Sequence, residues 1–270
     1  MYTINFIKMK KSNLIKIIST IMYLGMIVVN FLANIIPFNN KTTGQISDSY
    51  PNLFAPAPIT FSIWGLIYLA LAAYVVYQWG ILKKNKNKNS DKLFEKINNY
   101  FIISSLANIS WIFCWHYDFI GLSVIAIIIL LLSLIKIASI LKREKFSLLE
   151  KFLVSFPFSI YFAWIMIATI ANVTVFLVSI NWNGFGLADE YWIIIMLIIG
   201  AIIGLVKTIK DKNLFYNLVF AWAYYGIWLK YMSNNDYING YPNLIATTII
   251  CIAVFLISEA CLVCRQIRKK

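Results

Sequence analysis

Residues 51–79 read PNLFAPAPITFSIWGLIYLALAAYVVYQW: a proline-punctuated approach, then an apolar run carrying an aromatic ladder. Pro51, Pro56 and Pro58 resist a helix interior and bias each preceding residue to extended geometry. Thr60 or Ser62 is placed to cap the helix that follows. Phe61, Trp64 and Tyr68 then recur at i, i+3 and i+7, on one helical face. A stiff loop therefore delivers an aromatic-faced helix into an apolar medium. Taken alone, such a stripe is equally well explained by helix packing.

Working outward, the medium is a membrane. Of the 270 residues, 61% are hydrophobic and only 13% charged, and mean hydropathy is +0.75. Soluble domains do not reach these values. Apolar runs long enough to cross about 30 Å of hydrocarbon recur at roughly 14–37, 59–82, 98–116, 119–141, 152–180, 191–208, 213–232 and 243–264. The expected fold is an all-α integral membrane protein with eight transmembrane helices.

Charge placement supports that count. With the N-terminus inside, every one of the 24 basic residues except Lys41 and Lys230 falls in a cytoplasmic segment. This is the positive-inside bias, and seven or nine spans would scramble it. The net charge of +13 is then a topology signal plus attraction to anionic lipid. A nucleic-acid partner is disfavoured, because the basic residues are spread over five separate segments. Residues 83–89 (KKNKNKN) read as a solvated cytoplasmic loop.

Lys8 to Lys16 mimic a signal-peptide n-region, but the apolar run after them is long and lacks a small-x-small cleavage site, so a retained first helix is expected. Cys114, Cys251, Cys261 and Cys264 fall in or at the ends of apolar runs, which implies packing rather than a disulfide framework. His116 is the sole histidine, so a multi-histidine metal site is excluded. Lys136, Lys230 and Glu259 lie near span ends, where they snorkel or pair. No span has a charge at its centre, which weighs against a proton pump or ion-coupled transporter. Asp189-Glu190 is the only carboxylate pair and reads as a helix start capped by Asp189. Trp79, Trp182 and Trp192 fit the interfacial belt.

The uncharged polar groups inside spans say more. Asn30 and Asn34 are i, i+4 on the first helix; Asn108 sits on the third and Asn172 on the fifth. Trp64 and Tyr68 come early in the second span, Trp111 and Trp115 end the third, and Tyr161 and Trp164 lie mid-way along the fifth. An amide in hydrocarbon costs free energy without a partner, so these asparagines should face inward. Inward amides and aromatics at similar depth, roofed by the 38–58 loop, describe an apolar pocket with few polar contacts. The competing account is interhelical hydrogen bonding with no ligand.

Three motifs carry a family resemblance: Pro56-x7-Trp64-Gly65-x2-Tyr68, Leu106-Ala107-Asn108-x2-Trp111 and Tyr161-x-Ala163-Trp164-x7-Asn172. In this order, on helices two, three and five, they resemble the translocator protein family, also called tryptophan-rich sensory proteins (TspO/MBR). The resemblance covers roughly residues 14–181 and implies a TspO-like five-helix bundle with a hydrophobic pocket lidded by the first loop. It implies tetrapyrrole ligands such as porphyrin and haem, or sterols, with no resident cofactor. Trp64, Tyr68, Asn108, Trp111, Tyr161, Trp164 and Asn172 would line or support the pocket, with Asn30, Asn34 and Pro56 beside them. Ser62-Ile63 replaces the family's Pro-Val, Phe54 stands where a tryptophan is common, and no basic residue follows Asn172 before the loop, which argues against sterol.

Residues 1–181 are thus expected to form the bundle and 182–270 a three-helix C-terminal extension, whether scaffold, substitute dimer partner or second functional half. Self-association into a homo-oligomer is left open. The expected function is non-enzymatic binding of a hydrophobic, tetrapyrrole-like ligand for sensing or translocation, in contact with membrane lipid. The alternatives are a transporter of another amphipathic solute, an enzyme acting on a bound apolar cofactor, and a structural subunit. Lysine, asparagine and isoleucine richness suggests a bacterial plasma membrane, with both termini cytoplasmic.

Overall fold

A computed structural model describes residues 11–81, 88–233 and 235–268. Lys8, Lys10, Lys83, Lys84, Lys86, Lys269 and Lys270, whose placement was read from charge alone, lie outside the described residues. No strand occurs among the described residues. Eight long helices account for most of the described residues: α1 Lys11–Ile35, α2 Ile63–Gln78, α3 Lys88–His116, α4 Ile120–Leu141, α5 Phe156–Ser179, α6 Asp189–Asp211, α7 Leu214–Met232 and α8 Pro242–Ile267. Each overlaps one of the apolar runs, although α3 begins ten residues before its run and α2 is shorter than its own.

Six of these regions are long and apolar enough to cross a membrane by length and composition; α3 and α7 are not among them. Asp91, Lys92, Glu95 and Lys96 make the first turns of α3 polar, and α7 carries Asn217, Lys230 and several aromatics whose hydropathy is low. Both are nonetheless built into the bundle: α3 packs on α1 and α4, and α7 packs on α5 and α8.

The outer face of the molecule is apolar, unlike that of a water-soluble protein. Leu24, Val28, Phe31 and Ile35 on α1, Leu122, Ile125, Ile129 and Leu132 on α4, and Ile195, Ile198, Ile202, Val206 and Ile209 on α6 point outward at helical spacing. The interior is also mostly apolar and aromatic, with amides and hydroxyls buried among those side chains. Tyr74 Oη donates to Asn98 Oδ1 (2.8 Å), Asn98 Nδ2 donates to Gln78 Oε1 (2.7 Å), and Gln78 Nε2 donates to Thr20 Oγ1 (3.2 Å), tying α1, α2 and α3 together. Interhelical bonds of this kind hold membrane bundles where hydrophobic burial gives no preference for protein over lipid.

The lysine-bearing helix ends meet at one end of the bundle. Lys16 pairs with Asp91 (2.8 Å), Lys11 with Glu95 (3.3 Å), and Lys142 and Lys207 both pair with Asp211 (2.8 and 2.7 Å). At the opposite end, Lys230 faces Asp48 (3.7 Å) and Tyr50 donates to Asp118 (3.2 Å). Burial and the Asp118 carboxylate together raise the Tyr50 phenol above its ordinary pKa.

Local signals explain most helix ends, with two corrections. A 3₁₀ turn over Pro58–Ser62 runs directly into α2, so neither Thr60 nor Ser62 caps it; Ser62 makes no cap bond and Thr60 Oγ1 is buried without a partner. Asp189 is the first residue of α6, not its cap, which is Ala188 with no side-chain bond. There the carboxylate still complements the helix dipole. Trp182 and Trp192, read as belt residues, pack on each other with ring centres 4.8 Å apart. Ser147 and Glu150 form a capping box that opens a wide π turn, Lys151–Ser155, leading to Pro157 at the start of α5.

Candidate ligand-binding site

The loop from α1 to α2 is more ordered than a stiff connector. Thr42 and Gln45 form a reciprocal capping box, Thr42 N–H to Gln45 Oε1 at 2.8 Å and Gln45 N–H to Thr42 Oγ1 at 3.3 Å, which starts a short helix over Thr43–Asp48. Asn52 then accepts the Phe54 N–H at 3.1 Å in a local turn. Ile46 and Phe54, both essentially fully buried, anchor this lid in the bundle.

Beneath it, Trp64 is the hub of an aromatic cluster. Its ring stacks on Tyr68 (5.4 Å, 22°), lies tilted to Trp111 (6.4 Å), and meets Tyr161 and Trp164 edge-on, each at 6.1 Å. Trp115 stacks on Trp111 at 5.6 Å. Offset and edge-to-face pairs of this sort add about 0.5–1.5 kcal/mol each beyond area burial.

The asparagines are satisfied by protein. Asn30 Nδ2 donates to Asn108 Oδ1 (2.7 Å), and Asn108 Nδ2 donates to Tyr161 Oη (3.2 Å). Asn172 Oδ1 accepts from Trp111 Nε1 (2.7 Å), while Asn172 Nδ2 donates to Ser123 Oγ (2.9 Å). These two networks join α1 to α3 and α5, and α3 to α4 and α5. Asn34 departs from the expectation: it is exposed, and its amide bonds only the Asn30 carbonyl one turn back (2.9 Å). The polar atoms left over are Trp164 Nε1 and Tyr68 Oη, both buried and with no hydrogen-bond partner among the described residues.

Pro56, Trp64, Trp111, Trp164 and Asn172 border one cavity of about 50 Å³. That is room for a few waters, far below the roughly 300–1,000 Å³ of drug-sized ligand sites. The converging aromatics therefore fill most of the space that their pattern suggested would be open. Thr43, Ser47, Phe61 and Trp115 also border it, as do Ala223 and Ile227 of α7. The Thr42-x-x-Gln45 box was a legible signal for the first two. Nothing in the sequence pointed to the α7 residues.

That helix also holds the lid from outside. Ala57 N–H donates to the Gly226 carbonyl (2.9 Å), Trp222 Nε1 donates to the Thr60 carbonyl (3.0 Å), and Tyr231 Oη donates to the Leu53 carbonyl. Gly226 lies so close to Thr60 that a Cβ there would overlap its Oγ1.

Among the described residues no group of three or more His, Cys, Asp or Glu is arranged to hold a metal ion. His116 is fully buried and bonded to Thr43 Oγ1 (3.1 Å) and the Phe38 carbonyl (3.2 Å). Cys261 and Cys264 are exposed on the helix surface.

No curated protein and no solved structure matches the chain. A family model described as TSPO-like protein matches residues 16–261, running through all three C-terminal helices, whereas the motif resemblance ended near 181. A membrane-embedded helical bundle with a lidded aromatic cluster, matched over nearly its whole length, belongs to the TSPO-like protein family.

Proposed function

We propose that this protein binds a flat hydrophobic ligand of tetrapyrrole type, porphyrin or haem, between α2, α3 and α5 beneath the lid, for sensing or translocation. The observation that carries this is the convergence of Trp64, Trp111 and Trp164 on one lidded cavity, with the Trp164 N–H buried and unpaired. Indole faces suit a planar π-system, and an orphaned buried donor is costly until a ligand acceptor meets it. The ligand must swing the Trp64 ring aside and stack on it in the new position. Two features favour that: the ring is only half-buried, and Gly65 beside it faces open space.

In this reading all eight helices span a bacterial plasma membrane, with the lysine-rich end cytoplasmic. The part of the chain up to residue 181 forms the ligand bundle, and residues from 182 onward brace its lid. Quenching of tryptophan fluorescence by protoporphyrin in detergent tests the site. Trp64→Ala and Trp164→Ala should each weaken saturable quenching about tenfold, a loss of roughly 1.4 kcal/mol, while Trp79→Ala, exposed at the far end of α2, should not. Equal effects from all three would remove the assignment.

A further inference from the structure

The lid segment has two sides. Phe54 and Pro56 border the inner cavity, whereas Pro51, Asn52 and Leu53 border a second one, of about 500 Å³, between the end of α5 and the start of α6. That volume falls in the range of small-molecule sites. The walls are aromatic: Trp182 and Trp192 on one side, Tyr237 and Tyr241 on the other, over an apolar floor that includes Leu177 and Met196.

The indole wall is built, not incidental. Gly184, at φ +63°, accepts the Trp192 N–H on its carbonyl at 2.5 Å. A Cβ at Gly184 would stand 2.6 Å from Trp192 Cδ1, so only glycine lets the ring lie there. Trp182 packs on Trp192 at 4.8 Å and edge-on against Phe185 at 5.2 Å.

Charge identifies the guest. Asp189 is the only charged residue among the described residues lining this cavity. Basic residues outnumber acidic ones 24 to 11 in the chain, yet no lysine or arginine pairs with Asp189 among the described residues. Next to it in sequence, though not lining the cavity, Glu190 has Oε1 buried with no hydrogen-bond partner among the described residues. The start of α6 explains a carboxylate at this position, but not the indoles and phenols that line the same cavity. Aromatic faces with a nearby carboxylate are the chemistry that selects substituted ammonium groups.

We propose that this outer cavity binds an organic cation, a substituted ammonium on an apolar body, with the head held by Asp189 and the aromatic walls and the body against Leu177 and Met196. The site is separate from the one proposed above, and a tetrapyrrole bearing carboxylates would be repelled by Asp189. The ammonium can belong to a soluble amine or to an ethanolamine lipid headgroup.

Calorimetric titration of the full chain in dodecyl maltoside with benzyltrimethylammonium tests this. Saturable binding is expected, with the neutral isostere neopentylbenzene and the anion benzylsulfonate at least about tenfold weaker. Asp189→Asn and Trp192→Ala should each weaken the cation about fivefold or more, and Trp192→Phe should retain most of the affinity. Adding phosphatidylethanolamine assigns the source: competition supports a headgroup occupant, and no competition supports a soluble one. No saturable binding, equal binding of the neutral isostere, or an Asp189→Asn variant that is folded by its thermal transition and binds unchanged would each overturn the proposal. Trp64 and Trp164 substitutions should leave this titration unaltered, so its failure is distinguishable from failure of the inner site.

Discussion

The amide of Ala57 in the lid donates to the carbonyl of Gly226 on α7 over 2.9 Å, and Gly226 has no room for a side chain because Thr60 fills the space. A loop from the motif-bearing part of the chain is thus bonded backbone to backbone to a helix that the motifs do not reach. Three of the four links between them end on main-chain carbonyls, so they depend on the path of the lid more than on its side chains.

Gly226→Ala should therefore lower stability by about 1–3 kcal/mol, the usual cost of overpacking a tight contact. Thermal unfolding in detergent reads it. Thr60→Ala in the same chain should restore part of the loss, since Oγ1 and Cγ2 are among the atoms the new methyl meets. An unchanged transition in Gly226→Ala would mean that the lid is not seated on α7.

Tyr231→Phe deletes the donor to the Leu53 carbonyl and keeps the ring against Tyr237. The expected cost is about 0.5–1.5 kcal/mol. Hydrogen exchange should show it locally, as faster exchange of the Ala57 amide with helix-interior amides of α5 unchanged. A uniform acceleration across the chain would point instead to global loosening.

Asn108→Ala removes partners from both Asn30 and Tyr161, and Asn172→Ala orphans the Trp111 N–H and leaves Ser123 only its bond to the Ile120 carbonyl. Each should cost about 1–3 kcal/mol in stability, because buried groups are left unpaired. Asn34→Ala should cost little, since its amide is exposed and bonds only its own helix. Comparable losses from all three in a chemical denaturation series would contradict the network.

Ala171→Val projects two added methyl groups toward the 50 Å³ cavity that Ala171 borders. Burying each methyl stabilises by about 0.8 kcal/mol where it fits. The variant should hold or gain stability while losing protoporphyrin quenching. A destabilised variant that still binds would place the ligand elsewhere.

Much of the fold was legible because membrane insertion writes itself into local sequence. A helix that must meet lipid needs an unbroken apolar run, and loops on one side collect lysine. The register of all eight helices follows from that, and the Pro51–Pro58 segment announced a non-helical approach to α2. The ring cluster was legible in part from helical phase: Trp64 and Tyr68 lie about one turn apart on α2, whereas Phe61 sits in the 3₁₀ turn before it. Less readable were the partners of each amide. Asn30 and Asn34 have the same spacing, chemistry and depth signal, yet one bonds across the bundle and the other lies on the surface.

Periodicity alone determined that this chain is a bundle of membrane helices carrying aromatics and amides on inward faces, because helical phase and hydrophobic length are properties of neighbours in sequence. Only the tertiary structure decided that the amides bond to other protein groups, that Trp64 nearly fills its own cavity, and that α7 clasps the lid. Those outcomes depend on distances between residues far apart in the chain, such as Asn30 and Asn108 or Thr60 and Gly226, and no local pattern encodes a distance.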